Sequence, residues 1–237
     1  MCTLEKRGDI FVLTLTGDNE HRLNPSMIDD IRAALQKVRT EAKPGSVLIT
    51  TAEGKFFSNG FDLAWAQAAG SGFRDRLHRM FESFRPVVAD LISLPLPTIA
   101  AVTGHAAAAG LILVISHDYV LMRKDRGVLY MSELDIGMTF PDNVMALMRS
   151  KIASPIALRN VVLQAAKLKP VEALKMGIID SVHESPAETL EASLRLAEKL
   201  SSRKWNGDVY SEIRKASFPE ICKLFGLAHK QVLVARL

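Results

Sequence analysis

Cysteine is nearly absent: the 237 residues hold two, Cys2 and Cys222, far apart and in no C-x-x-C pair. That excludes a disulfide scaffold or a cysteine-bound zinc and favours a reducing, intracellular compartment. A block of like charge is missing too. The 30 basic and 26 acidic residues leave a formal net charge of +4, and the basic ones are scattered. Nucleic-acid binders gather charge into a stripe or a recognisable module, so no nucleic-acid partner is expected, whereas a mild positive excess suits a small polyphosphorylated ligand. His21, His78, His183 and His229 show no metal-ligand spacing, so no metal is expected. Ile99 to Ile115 carries no formal charge, but it falls short of the ~20 residues a spanning helix needs, and Thr103-Gly104-His105 breaks it. No membrane span is expected. Met1 to Ile10 mixes Glu5, Lys6, Arg7 and Asp9, unlike a signal or transit peptide. No Gly/Ser/Pro linker or repeat divides the chain.

What remains is 48% apolar and 24% charged, the balance of a soluble globular protein. Phe11 to Thr16 reads as a strand closed by Gly17-Asp18-Asn19. Asn24 and Pro25 cap and open a helix whose Ile28, Ile31, Leu35 and Val38 share one face. Strands are expected at Val47–Thr51, Thr98–Val102, Asp118–Met122 and Ile178–Val182, with an extended piece at Val128–Met131. Helices are expected along the Phe73, Leu77, Met80, Phe84, Val88 stripe, over Ala108–Ile115, from Ser154-Pro155, and over Val171–Met176 with Gly177 at C′. Ser185-Pro186-Ala187-Glu188 has capping-box spacing and opens an all-helical tail. Strands alternating with helices before a helical tail argue for an α/β core, 1–184, with a helical C-terminal region, 185–237.

Two strand-to-helix junctions could carry chemistry. Gly54 to Leu63 follows a strand and precedes a helix opened by Asp62, so free backbone N–H groups belong to a helix start. Thr103 to Gly110 is a second such junction, built of small residues that let a ligand approach the backbone. Together they could direct two N–H groups at one developing oxyanion. Small residues equally suit a tightly packed helix.

The segment Phe57-Ser58-Asn59-Gly60-Phe61-Asp62-Leu63 resembles the F-(S/C)-(A)-G-x-D-(L) signature of the enoyl-CoA hydratase/isomerase, or crotonase, superfamily. Pro97 to Val102 followed by Gly104-His105-Ala106 to Gly110 resembles its P-x-I-A-A-(V/I)-x-G-x-(A)-x-G-G-G stretch, and His117-Asp118-Tyr119 its C-D-(Y). The order and spacing agree, and compatible elements run from Thr3 to Phe218. Within the superfamily the likeness is greatest to plant-type peroxisomal Δ3,Δ2-enoyl-CoA isomerases.

The resemblance implies a crotonase fold, a repeated ββα superhelix, and oxyanion donors at the Phe61 and Ala109 N–H groups. It further implies a coenzyme A site bordered by Phe57, Ser58, Asn59 and Gly60, continuing through Asp62 and Leu63, with Arg22 near the phosphates and His105 and Gly110 beside the substrate. Of the two hydratase glutamates one aligns with Ile112, which cannot handle protons, and the other with Glu133. Hydration needs a group to activate water and a proton donor for the α-carbon, whereas a C2-to-C4 proton shuttle needs one base. Glu133 with Ile112 therefore favours the isomerase. Asp142 is the rival carboxylate, although Pro-Asp before an apolar run is also an ordinary helix start.

Consecutive Ser116-His117-Asp118 cannot converge as a catalytic triad. Trp65 and Trp205 read as packing residues. The ending Ala235-Arg236-Leu237 resembles a small–basic–Leu peroxisomal signal and implies an import receptor as partner. The expectation is a peroxisomal Δ3,Δ2-enoyl-CoA isomerase of fatty-acid β-oxidation. It would act on fatty enoyl-CoA without a metal or redox cofactor and assemble as a homotrimer or dimer of trimers. A 2-enoyl-CoA hydratase and a non-catalytic acyl-CoA-binding or scaffold protein are the alternatives.

Overall fold

The computed structural model describes residues 1–233; the Ala235-Arg236-Leu237 ending lies outside them. Six strands form the larger sheet: β1 (Cys2–Arg7), β2 (Ile10–Leu15), β3 (Val47–Ala52), β5 (Thr98–Val102), β7 (Tyr119–Arg123) and β9 (Ser181–His183). They lie side by side in that order. Only the β1–β2 pair is antiparallel, and β3 to β9 follow in parallel register, Ile49 beside Ile99 and Ala100 beside Val120. A smaller parallel sheet holds β4 (Phe56–Ser58), β6 (His105–Ala107) and β8 (Leu129–Tyr130).

The chain alternates between the sheets. β3, β5 and β7 each hand on to a short strand of the smaller sheet, and each pair is followed by a helical segment. These are α2 (Leu63–Gln67) with α3 (Phe73–Ser93), then α4 (Ala109–Ile115), then α5 (Asp142–Lys151). This is the repeated ββα winding that the sequence led us to expect. Sheet strands buried on both faces read as continuous apolar runs, and β3 and β5 are buried at every position. Their threonines are satisfied: Thr51 Oγ1 donates to Ala101 O at 3.1 Å, and Thr103, just past β5, donates to Ala52 O.

One face of the large sheet packs against α1 (Pro25–Glu41) and α3 through Ile28, Ile31, Leu35, Leu91 and Ile92. α1 starts as its sequence dictates, with Asn24 Oδ1 accepting from the Met27 N–H at 2.9 Å and Pro25 at N1. The other face is covered by α8 (Pro186–Ser201), whose Ala192, Ala197 and Leu200 pack on Val12, Ile49, Ile99 and Leu121. Ser185 caps α8 through the Glu188 N–H.

The rest is helical: α6 (Pro155–Leu163), α7 (Pro170–Lys175), α9 (Gly207–Ser217) and α10 (Pro219–Phe225). One boundary differs from expectation by more than a residue. β9 starts at Ser181, because Ile178 and Gly177 close α7 by donating to Ala173 O and Leu174 O, which holds the chain in a turn. No helix among the described residues is long and apolar enough to cross a membrane.

Candidate active site

Two strand ends of the small sheet meet. β4 runs into Gly60, at φ 74°, and β6 runs into Ala108, at φ 48° and ψ −122°. A Cβ on Gly60 would fall 3.0 Å from Ala107 O and 3.4 Å from the Ala109 nitrogen, so the first junction lies directly against the second. Gly60 therefore needs glycine for both reasons, positive φ and close approach. Ala108 holds its conformation with a Cβ, a strain of order 1–3 kcal/mol that surrounding structure must hold in place.

The first loop is pinned from outside. The Leu23 N–H donates to Gly60 O at 2.8 Å, the Asp62 N–H to Leu23 O at 3.3 Å, and Ser58 Oγ to His21 O at 2.8 Å. The Phe61 N–H between them is left over. Ala109 is the first residue of α4, where N–H groups have no intrahelical acceptor. Among the described residues neither N–H has an acceptor.

A cavity of about 180 Å³ opens beside them, lined by Phe61, Ala109, Ile112, Met131 and Glu133, by Phe84 and Val88 of α3, by Asn143 and Val144 of α5, and by Phe225 of α10. A second lobe of about 140 Å³ is lined by Arg22, Asn59, Leu63, Ala107, Ala108, Tyr130 and Ser132. The lobes share Phe61, Phe81 and Glu133, with the Phe61 ring edge-on to Phe81 at 4.8 Å and Phe84 at 5.5 Å.

Glu133 follows β8 and is fixed by the turn it begins, where the Met138 N–H donates to its carbonyl at 2.8 Å. Its Oε2 is buried with no hydrogen-bond partner among the described residues. Burial pushes its carboxyl above the ordinary glutamate value, against a smaller opposing pull from backbone N–H groups of its own turn. A carboxylate with one oxygen left without a partner beside free N–H donors is suited to accepting and returning a proton. Ile112, buried, presents only hydrocarbon to the same cavity.

The other residues singled out in the sequence are distributed as follows. Arg22, Asn59 and Leu63 line the second lobe. Phe57 and Ser58 are fully buried behind it, Gly110 packs against Ser58, and Asp62 caps α2 through the Trp65 N–H at 3.0 Å. His105 lines neither lobe; its ring lies 5.0 Å from Phe56, and its pKa is lowered by burial and then by Lys55, Arg126 and Arg123. Asp142 is the exposed first residue of α5 and also lies outside both lobes, while its neighbour Asn143 faces the cavity.

Sequence reasoning passed over Asn143, Phe81, Phe225 and Glu82. Glu82 sits at the cavity rim, its side chain 56% exposed and 3.9 Å from Arg85. An apolar residue off a helix's core stripe, as Phe81 is on α3, was the available signal. His117 is buried, with Nδ1 at 2.9 Å from Leu113 O and Nε2 at 2.8 Å from Thr50 Oγ1, which is a structural placement. Among the described residues no His/Cys/Asp/Glu group could hold a metal ion.

The family model for enoyl-CoA hydratase/isomerase matches residues 5–215. The chain belongs to that family. It is 59% identical over 230 residues to "Enoyl-CoA delta isomerase 2, peroxisomal" of Arabidopsis thaliana, covering 96% of each chain. It is 53% identical over 223 residues to "Enoyl-CoA delta isomerase 1, peroxisomal" of the same plant, covering 93% of this chain and 91% of the relative. Among solved structures, a probable enoyl-CoA hydratase from Mycobacterium tuberculosis superposes with a TM-score of 0.83 at 22% identity, over 95% of this chain and 93% of that one. An enoyl-CoA hydratase from Mycobacterium ulcerans superposes with a TM-score of 0.84 at 23% identity, over 95% and 94%. At such identities the likeness speaks for the crotonase fold alone.

Proposed function

We propose that this family member is a peroxisomal Δ3,Δ2-enoyl-CoA isomerase. The observation that carries the reading is the pairing of one carboxylate, Glu133, whose Oε2 is buried without a partner, with Ile112 across a cavity bordered by two free N–H groups. Relatives named as enoyl-CoA delta isomerases, 53–59% identical along nearly the whole chain, support it. Two of those names also say peroxisomal, in keeping with the Ala235-Arg236-Leu237 ending.

In this reading coenzyme A enters by the Arg22 lobe and the acyl chain occupies the other, which puts the thioester oxygen at the Phe61 and Ala109 N–H groups. Glu133 removes a proton from C2, and the electron pair delocalises through C1 onto that oxygen and through C3 to C4. The same carboxyl then delivers the proton to C4 as the C2–C3 double bond forms, so no atom is gained or lost. Donors fixed before the charge develops stabilise the dienolate without reorganisation. Only proton transfer and hydrogen bonding are used. Assembly as a homotrimer or dimer of trimers belongs to the same proposal, supported by the exposed apolar Ile156, Leu163 and Ile213.

The test is to give the purified full-length chain trans-3-hexenoyl-CoA and trans-2-hexenoyl-CoA in separate assays. Conversion of the first to the conjugated 2-enoyl thioester without water addition is expected. Hydration of the second as the dominant activity would establish a hydratase instead, and binding without turnover a scaffold.

A further inference from the structure

The two lobes have different boundaries. The one holding Arg22 is walled by strand ends, loops, α2 and α3, whereas the wall of the other includes α10, a helix that follows the last sheet strand by more than thirty residues. α10 is tied down at both ends. Glu220 in its first turn pairs with Arg149 of α5, and the Leu224 carbonyl accepts from Arg85 of α3. The Arg85 guanidinium also lies 6.0 Å from the Phe225 ring centroid. Phe225, at 9% exposure, is thereby held against the lobe that Arg22 does not line.

We propose that Phe225, clamped by Arg85, is the stop that sets how long an acyl chain the cavity accepts. The inference rests on the reading of the cavity as an acyl-CoA site and goes further in naming the residue that determines chain-length specificity. A close-packed wall cannot be stretched cheaply: one methylene beyond the available space forces unfavourable side-chain and backbone shifts. A rigid aromatic ring in that wall therefore discriminates more sharply than a flexible aliphatic would. Discrimination by one methylene in an apolar pocket amounts to about 10- to 200-fold.

The test compares kcat/KM for trans-3-hexenoyl-CoA and trans-3-dodecenoyl-CoA in the native protein, Phe225→Ala and Phe225→Leu. Phe225→Ala is expected to raise the dodecenoyl-to-hexenoyl ratio by about tenfold or more, with Phe225→Leu between it and the native protein. A merely structural role for α10 would lower both rates and leave the ratio alone, and an unchanged ratio in both variants overturns the assignment. If Phe225→Ala does not fold, Phe225→Leu decides. Should the native protein isomerise neither substrate, the isomerase reading fails. The stop is then judged by calorimetric affinities for hexanoyl-CoA and lauroyl-CoA: a ratio shifted by the variants supports it, and a fixed ratio overturns it.

Discussion

Gly110 stands so close to Ser58 that a Cβ on it would lie 2.3 Å from the Ser58 carbonyl oxygen. That contact seats the first turn of α4 on β4 and brings the Ala109 N–H alongside Phe61. Gly110→Ala must push the helix off the strand, because the obstacle is backbone. We expect a loss of about 1–3 kcal/mol in denaturant unfolding. A displacement near 1 Å of one oxyanion donor should also cut kcat about 100-fold. Native kcat in a folded Gly110→Ala variant would show that the close approach is not needed for the chemistry.

Glu133 sets activity against stability. Its folded-state pKa is raised, so the native protein holds a proton there that the unfolded chain releases near the ordinary glutamate value. Its contribution to stability is therefore greatest below that value and is lost as pH rises through the raised one. Once ionised, the group is a burden, left with one buried oxygen unpartnered. Glu133→Gln should abolish isomerisation while raising Tm at pH 7 by a few degrees, since about 1 kcal/mol corresponds to ~2–4 °C at this size. The gain should shrink as pH falls toward 4.5. Near-native turnover by this variant would remove Glu133 from the proton shuttle.

Local chemistry was legible in the sequence, and long-range packing was not. The Asn24-Pro25 cap, the buried face of Ile28, Ile31, Leu35 and Val38, and the Gly177 stop depend on neighbours within a turn or two. β1 gives no strand signal in the sequence because it is an edge strand, half charged, with four of its six residues exposed; only its pairing with β2 defines it. The same division runs through the site. Gly60, Phe61, Ala109 and Gly110 stand in two short motifs, whereas the cavity wall is assembled from α3, α5 and α10, brought together by contacts such as Arg85 with Leu224. No spacing rule connects positions 139 residues apart.

Arg214 and Asp118 form the structural hub behind the site. The guanidinium meets both Asp118 oxygens, at 2.7 and 2.5 Å, and donates to the carbonyls of Leu91, Ile92, Leu94 and Leu96 where α3 ends. Burial alone would raise the Asp118 pKa, but Arg214, with Lys151 and the Thr98 N–H, outweighs it and holds the carboxyl low. Arg214→Met strands a buried charge and should cost about 3–5 kcal/mol. Pairing it with Asp118→Leu should recover part of that loss, because the stranded charge is gone. Additive losses in the double variant would contradict the pairing.

His117 makes the fold sensitive to mild acid. Burial drives its pKa down from 6.5 to about 4, with Lys151 adding to the fall while Asp118 and the Leu113 and Val114 backbone oppose it. The unfolded chain therefore takes up a proton near pH 6.5 that the folded protein refuses until about pH 4. Stability is complete above pH 6.5 and declines as pH drops through this window. At 1.36 kcal/mol per pKa unit the loss amounts to roughly 3 kcal/mol by pH 4. Glu133 works in the opposite sense over part of the range, and His105, also lowered, works in the same sense from a more exposed position. Unfolding free energies measured in urea from pH 7.5 to 4.5 should fall steeply for the native protein. For His117→Gln the decline should be shallower by most of that amount, because its amide can still meet Leu113 O or Thr50 Oγ1 but takes up no proton. Equal slopes for the two proteins would mean that the acid sensitivity arises elsewhere.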